Sequence, residues 1–245
     1  MINLKMKNAT RLAMLLLTVI LVACGPAKPK PQDNHWTANG LRGQVKVVKE
    51  ITYRAQANNG QWMKTAQNQT YNQKVYSAEG FLLTETNFYT DTNEFASGFK
   101  YVYDDQNQVT RVDVLDPAGT VVSYSDIEKR EGKIGLLAYT DYYVLGDSTQ
   151  NIGRTELKWQ DYKIIGTSAF DEHNDLLSTT SYEYNDAGDI VIFRIKNFHT
   201  GQPDMTMQAT YEAYDPQGNW TRQHKEYPGY NIFEIAERTY EYWEQ

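Results

Sequence analysis

Tyr182-Glu183-Tyr184-Asn185-Asp186-Ala187-Gly188-Asp189-Ile190 reads YEYNDAGDI, and its two halves ask different things of the backbone. Tyr182 and Tyr184 alternate with Glu183 as on a half-buried strand, where successive side chains point to opposite faces. Asn185 opens a turn, because its short polar side chain hydrogen-bonds the backbone just ahead. Gly188 closes it, since the last place of a type I turn with a bulge needs a positive φ. Ile190 starts the returning strand. Tyr182, Tyr184 and Ile190 are expected to pack on the sheet, with Asp186 and Asp189 in solvent. The stretch reads as a hairpin. It returns from Tyr211 as YEAYDPQGNW and, more faintly, from Tyr101 as YVYDDQNQV.

Four-residue groups of this kind punctuate the chain: Ala57–Gly60, Ser77–Gly80, Asp104–Asn107, Asp116–Gly119, Lys129–Gly132, Asp171–Asn174, Asn185–Gly188 and Asp215–Gly218. Gly80, Asn107, Gly119, Gly132, Gly188 and Gly218 are the expected turn-forming residues, with weaker turns near Gly146 and Asp161. Gly119 to Gly132 is 13 residues, and Asn174 to Gly188 is 14. Each step holds one strand of about ten residues plus a turn, and two steps make a hairpin unit. Tyr76, Tyr103, Tyr184, Tyr214 and Tyr242 fall on the longer period. Ile232 to Arg238 suits a helix or a strand equally. Nineteen Tyr, five Trp and many Thr and Val favour strands elsewhere. The expected fold is all-β: a long antiparallel meander of about 12–15 strands, as a curled single sheet, a barrel-like form or two layers.

The pattern Tyr-x-Tyr-Asp-x-x-Gly, followed by a polar and then an apolar residue, resembles the YD (Rhs-like) repeat. Tyr182 to Ile190 matches it well and Tyr214 to Trp220 matches in its second half. Tyr101 to Val109 departs by carrying Asn107 for Gly. The resemblance implies hairpin repeats of a kind found in exported lipoproteins. Rhs proteins themselves are far longer and wind their repeats into a shell around a toxin.

The first thirty residues speak of export. Lys5, Lys7 and Arg11 precede an uncharged apolar run from Leu12 to Val22, too short for the ~20 residues of a membrane-spanning helix. Leu21-Val22-Ala23-Cys24-Gly25 resembles the lipobox of bacterial lipoproteins, which implies lipidation of Cys24, the chain's single cysteine. The expected organisation is a signal peptide over 1–23, a lipidated Cys and Pro-rich tether over 24–35, and a β-hairpin-repeat domain over 36–245. Gly25 after the cysteine resembles lipoproteins sorted to the outer membrane. Removing the signal leaves 21 Lys+Arg against 31 Asp+Glu, about −10, which disfavours nucleic acid as a partner. The expected partner is the membrane itself, through the anchor.

Chemistry is sparser. The four histidines are never paired at metal-ligand spacing, and no HExxH, P-loop, GxGxxG or Gly-x-Ser-x-Gly is present. The acidic turns match no Asp-x-Asp-x-Asp-Gly order, so no metal or cofactor is expected. Arg194 and Lys196 share a face with Ile190 and Ile192, which argues against a lipid-facing barrel. The aromatic load is the remaining lead. Tyr142, Trp159, Tyr182, Tyr184, Tyr211 and Trp220 are the candidate binding aromatics, weighed against a purely cross-strand packing role. The expected function is a lipid-anchored envelope binding or scaffold protein for a glycan or an envelope protein, more a binder than an enzyme. The alternatives are a polysaccharide hydrolase using a carboxylate pair and an immunity or assembly partner of an Rhs-like system.

Overall fold

Six of the expected turns share one hydrogen-bond pattern. In those opening at Ser77, Asp104, Asp116, Asp171, Asn185 and Asp215, the first residue's amide donates to the carbonyl four residues on, and the fourth residue's amide returns to the first carbonyl. Each opening side-chain oxygen also accepts the amide four residues ahead, at 2.8–3.2 Å. The fourth residue has φ between 58° and 92° in every case, and Asn107 and Asn174 adopt it as the glycines do. A register shift accompanies each turn, so these are the bulged type I hairpins that the residue types specify.

The computed structural model describes residues 34–244 except 59–60, 69, 133–134, 199–200 and 202. Cys24, the lipobox and the Pro-rich stretch lie outside the described residues. Fifteen strands follow one short helix, α1 (His35–Ala38): β1 (Val45–Asn58), β2 (Gln61–Gln67), β3 (Thr70–Tyr76), β4 (Leu82–Tyr89), β5 (Phe95–Tyr103), β6 (Val109–Leu115), β7 (Val121–Glu131) and β8 (Gly135–Leu145), then β9 (Ser148–Gln160), β10 (Lys163–Phe170), β11 (Leu176–Tyr184), β12 (Ile190–Asn197), β13 (Met205–Tyr214), β14 (Trp220–Tyr227) and β15 (Ile232–Tyr242).

Each strand pairs antiparallel with its sequence neighbour, and β15 pairs with β1 from Val45↔Tyr242 to Arg54↔Glu234. That last ladder closes the sheet into a barrel. β2 and β3 pair in succession along one edge of β1, so together they form a single interrupted stave and the barrel has 14. Closure pairs both edges of β1 and β15, and β2, which pairs only with β1, keeps the one short free edge among the described strands. The curled or two-layered alternatives give way to the barrel because β1 and β15 register over ten residues of β1. Ile232 to Arg238 is strand. Lys129 to Glu131 stay in β7, so that hairpin turns later than the sequence suggests, starting at Gly132 with φ +65°.

Along the staves one face is exposed and charged, and the other is more covered. Ser181, Glu183, Arg194, Lys196, Gln208 and Thr210 are exposed, while Tyr182, Phe193, Ile195, Met207 and Ala209 between them are covered. The latter share their face with a cavity that reaches across the sheet to Lys74 on β3, which identifies it as the lumen. Ion pairs cross the outer face, joining Arg154 to Glu128 and Glu156, Arg222 to Glu212 and Glu237, and Arg111 to Asp113. A charge on a lipid-facing stave costs about 2–4 kcal/mol at mid-bilayer, so this outer face suits water. Among the described residues no helix is long and apolar enough to cross a membrane.

One rim carries the turns that open at Ser77, Asp104, Asn185 and Asp215, and residues 34–44 lie across it as a strap. Asn34 caps α1 by accepting the Thr37 amide at 3.1 Å. Trp36 is buried with Val45, Val48, Tyr76 and Leu82, and its indole N–H donates to the Val45 carbonyl at 2.7 Å. Gly80 admits it: a Cβ there would lie 2.6 Å from the indole ring. His35 accepts the Leu82 amide on Nδ1 at 3.2 Å. Farther along, Arg42 forks between two turns, donating to the Gly218 carbonyl at 2.7 Å and the Ala187 carbonyl at 2.9 Å.

Candidate functional site

With the strap as its floor, the lumen contains a cavity of about 440 Å³ lined by Leu41 of the strap and by β1, β3 and β11–β15. Its size falls within the ~300–1,000 Å³ typical of small-molecule sites. Its two walls differ. On one side β11, β12 and β13 present Tyr182, Phe193, Met207 and Tyr211, with the Tyr182 and Phe193 rings 5.6 Å apart. The alternation in these strands places them there, including the Met205, Met207, Ala209 run that reads so cleanly in the sequence.

The facing wall is ionic. Glu50 on β1 accepts from Arg238 Nε at 2.7 Å and lies 3.5 Å from Lys225 Nζ. Lys74 on β3 pairs with Glu85 at 3.3 Å. Burial alone would raise the Glu50 pKa, but Arg238 and Lys225 overcome it and hold the carboxyl down at about 2. Burial would likewise lower that of Arg238, and Glu50 reverses the shift. The Arg238 guanidinium also lies 3.8 Å from the Trp220 ring centroid. A general acid must carry its proton near the working pH. Glu50 is held ionised instead, the state of a base or a counter-ion.

The six candidate aromatics separate. Tyr182, Tyr184, Tyr211 and Trp220 all line the cavity. Trp159 lies apart, near the β9–β10 turn, with its indole N–H on the Leu136 carbonyl at 2.6 Å. Tyr142 is on the outer face, stacked on Tyr124 at 5.0 Å, with Arg111 over the Tyr124 ring.

Several of the lumenal hydroxyls are already engaged. Tyr103 donates to the Leu82 carbonyl, Tyr184 to Ile164, Tyr211 to Ile190 and Tyr240 to Trp220, all at 2.6–2.7 Å and spanning 20 or 21 residues. Each acceptor stands at or beside the start of the preceding strand. The repeat tyrosine is therefore a strand lock, and burial pushes Tyr184 and Tyr240 up to about 12. In the last two units the lock falls to Tyr211 and Tyr240 instead of the periodic Tyr214 and Tyr242. Two bulges between Tyr211 and Tyr214 shift the pairing, leaving Tyr214 exposed with its hydroxyl on Asp189 at 3.3 Å. Asp189 accordingly lines the cavity instead of facing solvent, whereas Asp186 is exposed.

Asp171, Glu172 and His173 bring their ligand atoms together at one turn. An Asp171 oxygen there already accepts the His173 and Asp175 amides, so the cluster reads as turn capping. Sequence reasoning missed Glu50, Lys74, Lys225 and Arg238. Nothing in their own strands sets them apart from the neighbouring charged and polar residues, and only barrel closure sets Glu50 beside Arg238.

The fold and site define a closed, antiparallel meander barrel with a strapped rim and a lined lumen. No protein-family model matches the chain, and none of the curated proteins does. Among solved structures, a porin-like protein from Bacteroides uniformis aligns over 87% of this chain and 100% of its own, at 12% identity and TM-score 0.47. A LolA-superfamily protein from Nitrosomonas europaea aligns over 89% and 96%, at 11% identity and TM-score 0.29. The TcdB2-TccC3-Cdc42 structure aligns over 78% of this chain and 12% of its own, at 12% identity and TM-score 0.29.

Proposed function

We propose that this is an exported, lipid-anchored binding protein of the cell envelope that holds its ligand inside the barrel. The observation that carries the reading is the division between faces. Ion pairs cross the outside, while the lumen offers a floored cavity with aromatic side chains on one wall and buried charges on the other. The signal-like segment and Cys24 support export and anchoring. A glycan or a segment of an envelope protein would stack on Tyr182 and Phe193, not on the outer Tyr142.

The test is native mass spectrometry of the full chain extracted in mild detergent from its own membranes. A co-purifying mass should disappear from Met207→Trp, which fills the lumen, and persist in Tyr142→Ala. Retention in the first and loss in the second would overturn lumenal binding.

A further inference from the structure

Gln223 on β14 stands out along the cavity. It is 4% exposed and lines the lumen, yet among the described residues no group hydrogen-bonds its side-chain amide. Register sets it between Tyr211 on β13 and Ala236 on β15. Tyr211 donates its hydroxyl to the Ile190 carbonyl, and the Ala236 side chain has no polar atom to offer. A buried amide left unpaired costs about 1–3 kcal/mol, so an unpaired one on a cavity wall marks a place where a ligand can pair with it. The carboxamide offers two donors and an acceptor without carrying charge.

The charges around it cancel. Lys74, Lys225 and Arg238 are matched by Glu50, Glu85 and Asp189, and nearer the mouth Arg54 stands opposite Glu234 in register. Such a lining favours neither a net anion nor a net cation. Peptide main chain finds no partner there either, because β11–β15 and β1 each pair on both edges and leave no strand edge inside the lumen. An uncharged, hydroxyl-rich ligand meets both conditions, since each hydroxyl donates and accepts at once. Across the cavity the Tyr182 and Phe193 rings, 5.6 Å apart, offer the apolar surface on which the C–H face of a sugar ring stacks.

We propose that the lumen takes an uncharged saccharide, stacked on Tyr182 and Phe193, and that the Gln223 amide is the hydrogen-bond anchor that selects it. Sugar hydroxyls satisfy the amide's donors and acceptor, and they leave the charge balance of the lining undisturbed. This inference rests on lumenal binding and narrows it to one ligand class.

Calorimetric titration of the full chain in a sugar-free detergent would use the neutral disaccharides cellobiose, maltose, lactose and N,N′-diacetylchitobiose, the acidic digalacturonate and the peptide trialanine. At least one neutral disaccharide should bind at least about tenfold more tightly than digalacturonate or trialanine. Gln223→Leu should weaken that binding by about tenfold, equal to ~1.4 kcal/mol. The melting temperature of the ligand-free variant should stay level or rise, because the substitution breaks no hydrogen bond within the protein. A fall in that melting temperature would assign Gln223 to the fold and overturn the proposal. So would the absence of binding by all four neutral disaccharides, or neutral-sugar binding that survives Gln223→Leu. Digalacturonate or trialanine binding that Met207→Trp abolishes, with no neutral sugar bound, would overturn it too while leaving lumenal binding intact.

Discussion

Asn219 holds the backbone of Arg42 from both sides, although 177 residues separate them. Its Oδ1 accepts the Arg42 amide at 2.8 Å, and its Nδ2 donates to the Arg42 carbonyl at 2.8 Å. The side-chain amide thus does what an opposing strand would do, and it carries the strap onto the last YD-like turn.

Asn219→Ala should therefore loosen the strap before it unfolds the barrel. Buried donors and acceptors left unpaired cost about 1–3 kcal/mol. Hydrogen exchange should quicken in residues 34–44 while the β10–β11 ladder keeps its protection. Asn219→Asp should fail as a substitute, because a carboxylate cannot donate to the Arg42 carbonyl.

Glu50→Gln should be among the most damaging single changes. It leaves Arg238 and Lys225 without their shared counter-charge, and breaking a buried ion pair from one side costs about 3–5 kcal/mol. The double variant Glu50→Gln, Arg238→Met should recover much of that loss in urea unfolding. Equal stability of the two variants would argue against the pairing as drawn.

Acid should act in two successive windows that overlap slightly near pH 4. Burial, with Lys74 nearby, lowers the His35 pKa from 6.5 to about 4, so the unfolded chain takes up this proton first. That contribution is complete above pH 6.5 and is lost as pH falls from there to about 4. Glu50, lowered from 4.5 to about 2, contributes above pH 4.5 and loses its part between 4.5 and 2. A melting-temperature profile should show both limbs, and His35→Phe should flatten only the upper one.

The tyrosine locks should behave as independent, modest struts. Tyr103→Phe, Tyr184→Phe and Tyr240→Phe each remove one hydroxyl bond to a carbonyl at a strand start. Each should cost about 0.5–1.5 kcal/mol in denaturant unfolding. The losses should add when combined, since separate hairpins share no partner.

Cys24→Ser tests the anchor apart from the barrel. The wild-type chain should incorporate labelled fatty acid in its native host and the variant should not, with both giving the same melting temperature after purification.

Much of the fold was legible one hairpin at a time, because each turn is closed by residues within five positions. Asn185 to Asp189 contains its own cap, its positive-φ glycine and the bulge that follows. Local chemistry of that kind survives in a one-dimensional reading, and so does the alternation that sends Tyr182 inward and Glu183 outward. The candidate site was legible only in its aromatic half. Tyr182, Tyr184, Tyr211 and Trp220 announce themselves by type and period, yet their period could not say that three of them spend hydroxyls or ring faces on Ile164, Ile190 and Arg238. By itself the sequence determined a meander of bulged hairpins. Tertiary structure decided that β15 meets β1, that Arg42 and Trp36 close one rim, and that Glu50 finds Arg238 in the lumen. These contacts join residues more than a hundred positions apart or depend on such a closure. No local propensity encodes them; they follow from satisfying the last two strand edges against each other.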